Sequence, residues 1–201
     1  MAMTPGAQGY SEQAEQLVTQ YEGISFVEKH RAALHLLPDA PCDVLDIGAG
    51  TGADAAWFAD AGHRAVAVEP TAELRNPGMT LHSASAIEWV DDCLPNLSKL
   101  SQRWRFDLVM ITAVWMHLDE NERTTAMARV ASLLRPSGAL IMSLRHGPHA
   151  RGRRTFDVSA EETVQLASKF SLRCTLNVRT ESARQFNRVA GITWSQLAFS
   201  F

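Results

Sequence analysis

The chain lacks most of what would tie it to a specialised environment. It has only three cysteines in 201 residues, Cys42, Cys93 and Cys174, scattered and odd in number. They provide no disulfide framework and read as reduced thiols of a cytosolic protein. Charge of one sign is missing too. The balance of 19 Lys and Arg against 22 Asp and Glu leaves −3, with no global basic field to draw the chain onto nucleic acid or an anionic membrane. No apolar run approaches the roughly 20 residues of a bilayer span. Met1–Ala7 has no apolar secretion core, so a cytoplasmic protein is expected. No His and carboxylate cluster has metal-ligand spacing, so no metal is predicted. There is no internal repeat, low-complexity tract or linker, and a chain of this length can bury a core of its own. One domain over 1–201 is expected.

What the chain does have is a glycine turn. Val44-Leu45-Asp46-Ile47 reads as a buried strand, and Gly48-Ala49-Gly50-Thr51-Gly52 follows it at once. Ala53–Ala59 then opens like a helix. Alternating glycines let the backbone bend sharply and let a ligand approach, because no Cβ intervenes. A strand, a glycine turn and a helix N-terminus together put a nucleotide-like ligand at the carboxyl edge of a sheet. The spacing is G-x-G-x-G, not the G-x-G-x-x-G of dinucleotide enzymes. Glu69 ends the second strand, where a carboxylate can accept bonds from both hydroxyls of a ribose.

Around this turn, strands and helices alternate. Helical spacing over 11–37 breaks near Gly23. Strands are predicted at Cys42–Ile47, Arg64–Val68, Met79–His82, Phe106–Val114 and Ala139–Leu144, with closing strands at Leu172–Val178 and Ile192–Phe201. Phe106-Asp107-Leu108-Val109-Met110-Ile111 is nearly all apolar, as a strand covered on both faces requires. Asp119 with Glu122, and Ser159 with Glu162, have the spacing of capping boxes ahead of helices. The order predicts an α/β fold with a mainly parallel sheet covered on both faces and an antiparallel pair of strands at the C-terminus.

At this point the chain resembles the class I S-adenosylmethionine-dependent methyltransferases. The resemblance rests on Val44–Gly52, Ala67-Val68-Glu69-Pro70, Phe106–Leu118 and Leu133–Leu144, in that family's motif order. It implies a Rossmann-like, doubly wound, seven-stranded sheet. It also implies a helical lid segment over 1–40, a cofactor-binding core over 41–145, and a C-terminal helix with closing strands over 146–201. The implied cofactor is S-adenosylmethionine, leaving as S-adenosylhomocysteine. Gly48, Gly50 and Gly52, with Ala49 between them, should pass under its methionine part. Asp46 should orient the amino group, Glu69 should hold the ribose hydroxyls, and Pro70 should lie near the adenine. The family often has an acidic residue after strand three to bond the adenine amine. Here Ser85-Ala86 falls at that place, leaving the contact to backbone and the Ser85 hydroxyl. Thr112, at the end of strand four, should border the cofactor.

Catalytic candidates must follow strands four and five. They are Trp115 and His117, then Arg145 and His146. Histidine titrates near neutrality and can take a proton from a hydroxyl, thiol or ammonium acceptor. The basic stretch Arg145–Arg154 suits a carboxylate or phosphate on a substrate, and also suits a solvated loop. Tyr10, Tyr21 and Phe26 suit a lid that excludes water. Thr112-Ala113-Val114-Trp115 stands where enzymes that methylate the exocyclic amine of adenine carry an Asn-Pro-Pro-Tyr-like tetrapeptide. A small-molecule acceptor, modified at O, N or S and anionic if the arginines bind it, is therefore the leading expectation, with nucleic acid disfavoured. An RNA or protein acceptor, a dinucleotide oxidoreductase and a non-catalytic module of the same fold remain as alternatives. Oligomeric state is not legible.

Overall fold

The computed structural model describes residues 9–149 and 152–201. The segment Met1–Ala7 and, within the basic stretch, Ala150 and Arg151 lie outside the described residues. The strands are β1 (Asp43–Ile47), β2 (Arg64–Val68), β3 (Ile87–Val90), β4 (Phe106–Thr112), β5 (Leu134–His146), β6 (Arg173–Glu181) and β7 (Thr193–Ser200). The helices are α1 (Ala14–Glu22), α2 (Phe26–Lys29), α3 (Ala53–Asp60), α4 (Ala72–Leu81), α5 (Glu120–Leu133), α6 (Ala160–Ser168) and α7 (Gln185–Val189). The strands form one seven-stranded sheet of order β3-β2-β1-β4-β5-β7-β6. Its first five strands in that order run parallel, while β7 lies antiparallel to both β5 and β6. This is the doubly wound sheet with an antiparallel C-terminal pair that the pattern predicts.

Strand residues alternate between two faces. Leu45, Ile47, Val66, Val68, Val109 and Ile111 share one face and are buried against Met127 and Val130 of α5 and Ala167 of α6. Val44, Ala65, Ala67, Leu108, Met110 and Ile141 share the other, under Phe26 of α2 and Phe58 of α3. The α5 start shows the predicted box in full. Asp119 Oδ1 accepts from Glu122 N at 2.9 Å, and Glu122 Oε2 accepts from Asp119 N at 2.8 Å. At α6 only the Ser159 half forms, with Ser159 Oγ accepting from Glu162 N, because the Glu162 carboxylate turns to Arg123 at 2.9 Å.

Two strand expectations need correction. Met79–Leu81 is the end of α4, and strand three is Ile87–Val90. The short apolar run at Met79 belongs to a helix begun by Thr71, whose N–H is held by the Glu69 carboxylate at 2.8 Å. Ile87-Glu88-Trp89-Val90 has the period-two β-branched and aromatic pattern of a strand. The fifth strand starts at Leu134 rather than after Gly138 and runs on through His146. Arg135 binds the carboxylates of Asp43 and Asp107 and keeps that early segment extended. None of the described helices is long and apolar enough to cross a membrane.

The N-terminal segment is fastened to the sheet through Asp54 on α3. Lys29 Nζ donates to Asp54 Oδ1 at 2.7 Å, and His30 Nε2 lies 2.8 Å from Oδ2. Phe26 stacks on Trp57 with ring centroids 4.0 Å apart. Burial alone would raise the Asp54 carboxyl, but Lys29 and His30 outweigh it and hold it far below the usual range. The contribution of this clamp to stability is therefore fully present above the ordinary carboxylate value of about 3.9 and is lost as pH falls towards the depressed folded value. Asp54→Asn is expected to cost about 2–4 kcal/mol, since it leaves a buried partner uncompensated. It should also raise amide exchange in α1 and α2 before that in β1 and β4. Uniform exchange across all four elements would contradict the clamp.

Candidate active site

The turn after β1 is built around one carboxylate. Glu69 is 5% exposed. Its Oε2 accepts from Gly50 N at 2.9 Å and its Oε1 from Thr71 N at 2.8 Å. It thus joins the glycine turn to the end of β2. Burial raises its carboxyl above the usual value, against the bonds from Thr71 and Gly50. The three glycines all have positive φ, at 73°, 60° and 78° for Gly48, Gly50 and Gly52, a region L side chains rarely enter. Their roles differ. A Cβ on Gly48 would lie 2.3 Å from Val114 Cγ2, and one on Gly52 would lie 2.5 Å from the Trp89 ring. Gly48 and Gly52 are therefore also demanded by packing, and Gly52 does not reach the cavity. Over Gly50 the space is closed by the Tyr21 ring, at 3.0 Å.

The turn opens into a cavity of about 1040 Å³ at the carboxyl edge of the sheet, lined by Gly48, Ala49, Gly50, Glu69 and Pro70. Strand parity decides what else enters it. Asp46, Thr112, Ser143 and Arg145 continue the face that carries Val44, Met110 and Ile141, and all four line the cavity. Arg145 and His146 are neighbours that the sequence places together after strand five. Because β5 extends through both, they point to opposite faces. His146 lies away from the main cavity, with Nε2 2.9 Å from Ser195 Oγ, and lines a smaller cavity of about 340 Å³. Trp115 is fully buried in the α5 side of the core, so its ring is packing and not a substrate wall. Neither His146 nor Trp115 lines this cavity.

His117 does line the cavity, but both ring nitrogens are engaged. Nδ1 lies 2.7 Å from the Arg154 carbonyl, so it carries the proton, and Nε2 therefore accepts from the Tyr10 hydroxyl at 2.8 Å. Burial holds the ring below its usual pKa, and Arg153, Arg145 and Arg154 push the same way against the Arg154 carbonyl bond. The route from this imidazole to the cavity runs through Tyr10. Arg153 sits 4.4 Å from the centroid of the Tyr10 ring. Tyr10 and Tyr21 both line the cavity from the N-terminal segment, while Phe26 is stacked on Trp57 away from it. Arg154 is committed elsewhere, to Asp119 at 3.0 Å and Glu122 at 2.6 Å.

Ser85 and Ala86 are displaced by the new position of strand three. They precede β3 at its far end, and Ser85 Oγ donates to Asp60 at 2.8 Å, outside the cavity. The residues that do follow β3 are Asp91 and Asp92. Asp92 lines the cavity, is 8% exposed, and accepts from Cys93 N and Lys99 N at 2.8 and 2.6 Å. The acidic residue is thus present, and the alternation of Ile87–Val90 was the signal for it. Tyr10's pairing with His117, across 107 positions, had no sequence signal. Nor had Ser143, whose Oγ accepts from Ala113 N at 3.0 Å.

The chemistry of the lining fits the cofactor that the resemblance implies. Asp46 is 2% exposed, with its carboxyl pushed far up by burial and by Asp54, against Lys29. A buried carboxyl short of cationic charge suits a cationic ligand. Thr51, in the glycine turn, lines the cavity, and its Oγ1 is buried without a hydrogen-bond partner. Such an orphan calls for a ligand group. Carboxylates from β1, from β2 and after β3 line one half, and Arg145 and Arg153 line the half beyond β4.

Comparison with known proteins agrees with this geometry. Residues 44–138 match the family described as Methyltransferase domain. A TehB-like SAM-dependent methyltransferase from Corynebacterium glutamicum superposes with a TM-score of 0.69 at 19% identity, over 95% of this chain and 97% of that one. The 1,6-didemethyltoxoflavin-N1-methyltransferase of Burkholderia thailandensis, solved with bound 1,6-didemethyltoxoflavin and S-adenosylhomocysteine, gives a TM-score of 0.69 at 20% identity, over 99% of this chain and 91% of that one. The N-methyltransferase NodS of Bradyrhizobium japonicum, in complex with S-adenosylhomocysteine, gives 0.67 at 18%, over 94% and 96%. No protein of curated function matches the chain.

The His117 geometry has a spectroscopic consequence. Nitrogen-15 NMR should find its ring neutral at pH 7, protonated on Nδ1, and titrating below the ordinary 6.5. Tyr10→Phe should shift the Nε2 resonance and leave Nδ1 in place. An Nε2-protonated ring in the wild type would break the assignment.

Proposed function

We propose that the chain transfers a methyl group from S-adenosylmethionine to an O, N or S atom of a small-molecule acceptor, a reading supported by the match of residues 44–138 to the Methyltransferase domain family and by the order of the sheet. The observation that carries this reading is Glu69. A buried carboxylate stands at the end of β2, bonded to Gly50 N on one oxygen and Thr71 N on the other, with the cavity beside it. The cofactor supplies a methyl on a positively charged sulfur, displaced in line. The protein's part is then alignment, which accounts for about 7–11 kcal/mol of barrier in well-oriented cases.

The scheme assigns roles to a subset of the cavity residues. Glu69 holds the ribose hydroxyls with its remaining lone pairs. Asp46 takes the amino group, and Asp92, in place of Ser85 and Ala86, takes the adenine amine. Pro70 flanks the base, and Ala49 and Thr112 border the cofactor. Tyr21 and Tyr10 exclude water. Where the acceptor atom still carries a proton, Tyr10 takes it as its own hydroxyl proton passes to His117 Nε2. The acceptor sits beyond β4, where the lining turns from carboxylates to arginines, and this polarity favours an anionic one.

Incubating the protein with isotopically labelled cofactor and a cell metabolite extract, then identifying labelled products by mass spectrometry, tests the reading directly. Calorimetry gives the second measurement. S-adenosylhomocysteine should bind and NAD should not. Glu69→Gln should weaken the former by about 1–3 kcal/mol, the value of a bond to a charged group, and unchanged affinity would remove Glu69 from the site. Because the raised Asp46 carboxyl must ionise to hold a cation, affinity should fall as pH is lowered through its folded pKa. Asp46→Asn should flatten that dependence.

A further inference from the structure

Taking the proposed function as its ground, we propose that the acceptor half of the cavity is an oxyanion subsite. In it, Arg145 and Arg153 grip a carboxylate or phosphate of a ring-bearing acceptor, while Gln196 accepts a hydrogen bond from the same molecule.

The register of β5 against β7 builds this wall. Ser143 lies opposite Gln196 and Arg145 opposite Trp194. Directly opposed residues of an antiparallel pair share a face with their Cβ atoms about 4.5–5.5 Å apart. Ser143, Arg145, Trp194 and Gln196 all line the cavity. Leu144 and Ser195, on the alternate parity, face the other way. Gln196 is 6% exposed, and its Oε1 is buried with no hydrogen-bond partner. A buried acceptor left unpaired is unfavourable, and a donor on a ligand in the cavity would satisfy it.

The arginines point to the charge of that ligand. Arg64, Arg75, Arg123, Arg135 and Arg154 each pair with a carboxylate. Arg145 and Arg153 have no such ion pair among the described residues, and neither do Arg31, Arg184 and Arg188, which also line the cavity; Arg145 and Arg153 are the two that stand beside Gln196 and the Tyr10 ring on the β5 and β7 side. Arg145 Nη1 donates to the Pro148 carbonyl at 2.6 Å, and Arg153 Nη2 donates to Gln13 Oε1 at 2.8 Å. Arg153 Nε is buried with no partner. The two cations are near enough that burial first, and Arg153 second, lower the Arg145 pKa. Like charges held together in a half-buried wall are unfavourable without a counter-ion. Planar guanidinium forks match carboxylate and phosphate oxygens. The Tyr10 ring under Arg153 and the Trp194 ring opposite Arg145 supply flat apolar surface for a ring. Glu181 also lines the cavity, as an exposed residue at the end of β6.

Calorimetry with small probes tests the subsite independently of turnover. Benzoate, phenyl phosphate and the neutral isostere benzamide are titrated into the full chain, with and without saturating S-adenosylhomocysteine. Benzoate or phenyl phosphate should bind saturably and at least tenfold more tightly than benzamide, and the stronger of the two identifies the oxyanion. Arg145→Gln and Arg153→Gln should each weaken the anion about tenfold and change S-adenosylhomocysteine affinity less than threefold, which also shows that the variants are folded. Equal binding of benzoate, phenyl phosphate and benzamide by the wild type would overturn the proposal. So would anion binding that survives both substitutions. A protein that binds S-adenosylhomocysteine but no anion loses the subsite and keeps the proposed function. One that binds the anion through these arginines but not S-adenosylhomocysteine does the reverse.

Discussion

A strand can offer its residues to only two sides, and the site is a consequence of that alternation. On β1, β4, β5 and β7 one parity runs from the core under α2 and α3 out to the carboxyl edge, where it ends in Asp46, Thr112, Ser143, Arg145, Gln196 and Trp194. The opposite parity ends in packing beneath α5 and α6. A shift of one residue in any strand would exchange a cavity side chain for a core one. Burial enforces the register. Leu45, Val109 and Leu140 are completely buried on one side, and Val44 and Leu108 on the other, so no strand can slip without exposing apolar surface.

Sheet order then sorts charge. The strands β3, β2 and β1 lie on one side of β4, and β5 and β7 on the other. The first group brings Asp92, Glu69 and Asp46 to the cavity, and the second brings Arg145, with Arg153 beside it. Cationic sulfur chemistry and an oxyanionic acceptor would each meet the opposite charge across one cleft. Hydrogen bonds to the backbone keep the buried acids in place. Glu69 spans Gly50 and Thr71, and Asp92 spans Cys93 and Lys99. Each carboxylate thus shapes its own loop before it meets any ligand.

Over this floor the N-terminal segment makes a roof with two kinds of fastening. The attachment to Asp54 is partly buried and includes the Lys29 ion pair beside the His30 hydrogen bond. The Tyr10 attachment to His117 is a single neutral hydrogen bond beside a stacked guanidinium. Neutral bonds contribute about 0.5–1.5 kcal/mol net, and bonds to charged groups more. The Tyr10 end is therefore the easier to release, and it is the end that lies over the arginine half. A lid hinged at Asp54 and opening at Tyr10 would admit acceptor while keeping the cofactor side covered.

The sequence by itself determined the mainly parallel sheet with its antiparallel C-terminal pair, though not the place of strand three or the start of strand five, and it determined the glycine turn and the carboxylate after β2, which are local matters. A strand, a tight turn and a helix start follow within about a dozen residues, and their backbone demands are written in residue type. It also determined the cap at Asp119 and Glu122, for the same reason. Tertiary structure alone decided which neighbours in the chain face the ligand. Arg145 and His146 separate because Arg135, held by Asp43 and Asp107, is part of a strand that runs on through both. The acid after β3 could be found only once that strand was placed at Ile87–Val90. The Tyr10–His117 bond and the Ser143–Gln196 pairing join residues far apart in sequence. Such pairings depend on packing across the whole sheet, and no local pattern encodes them.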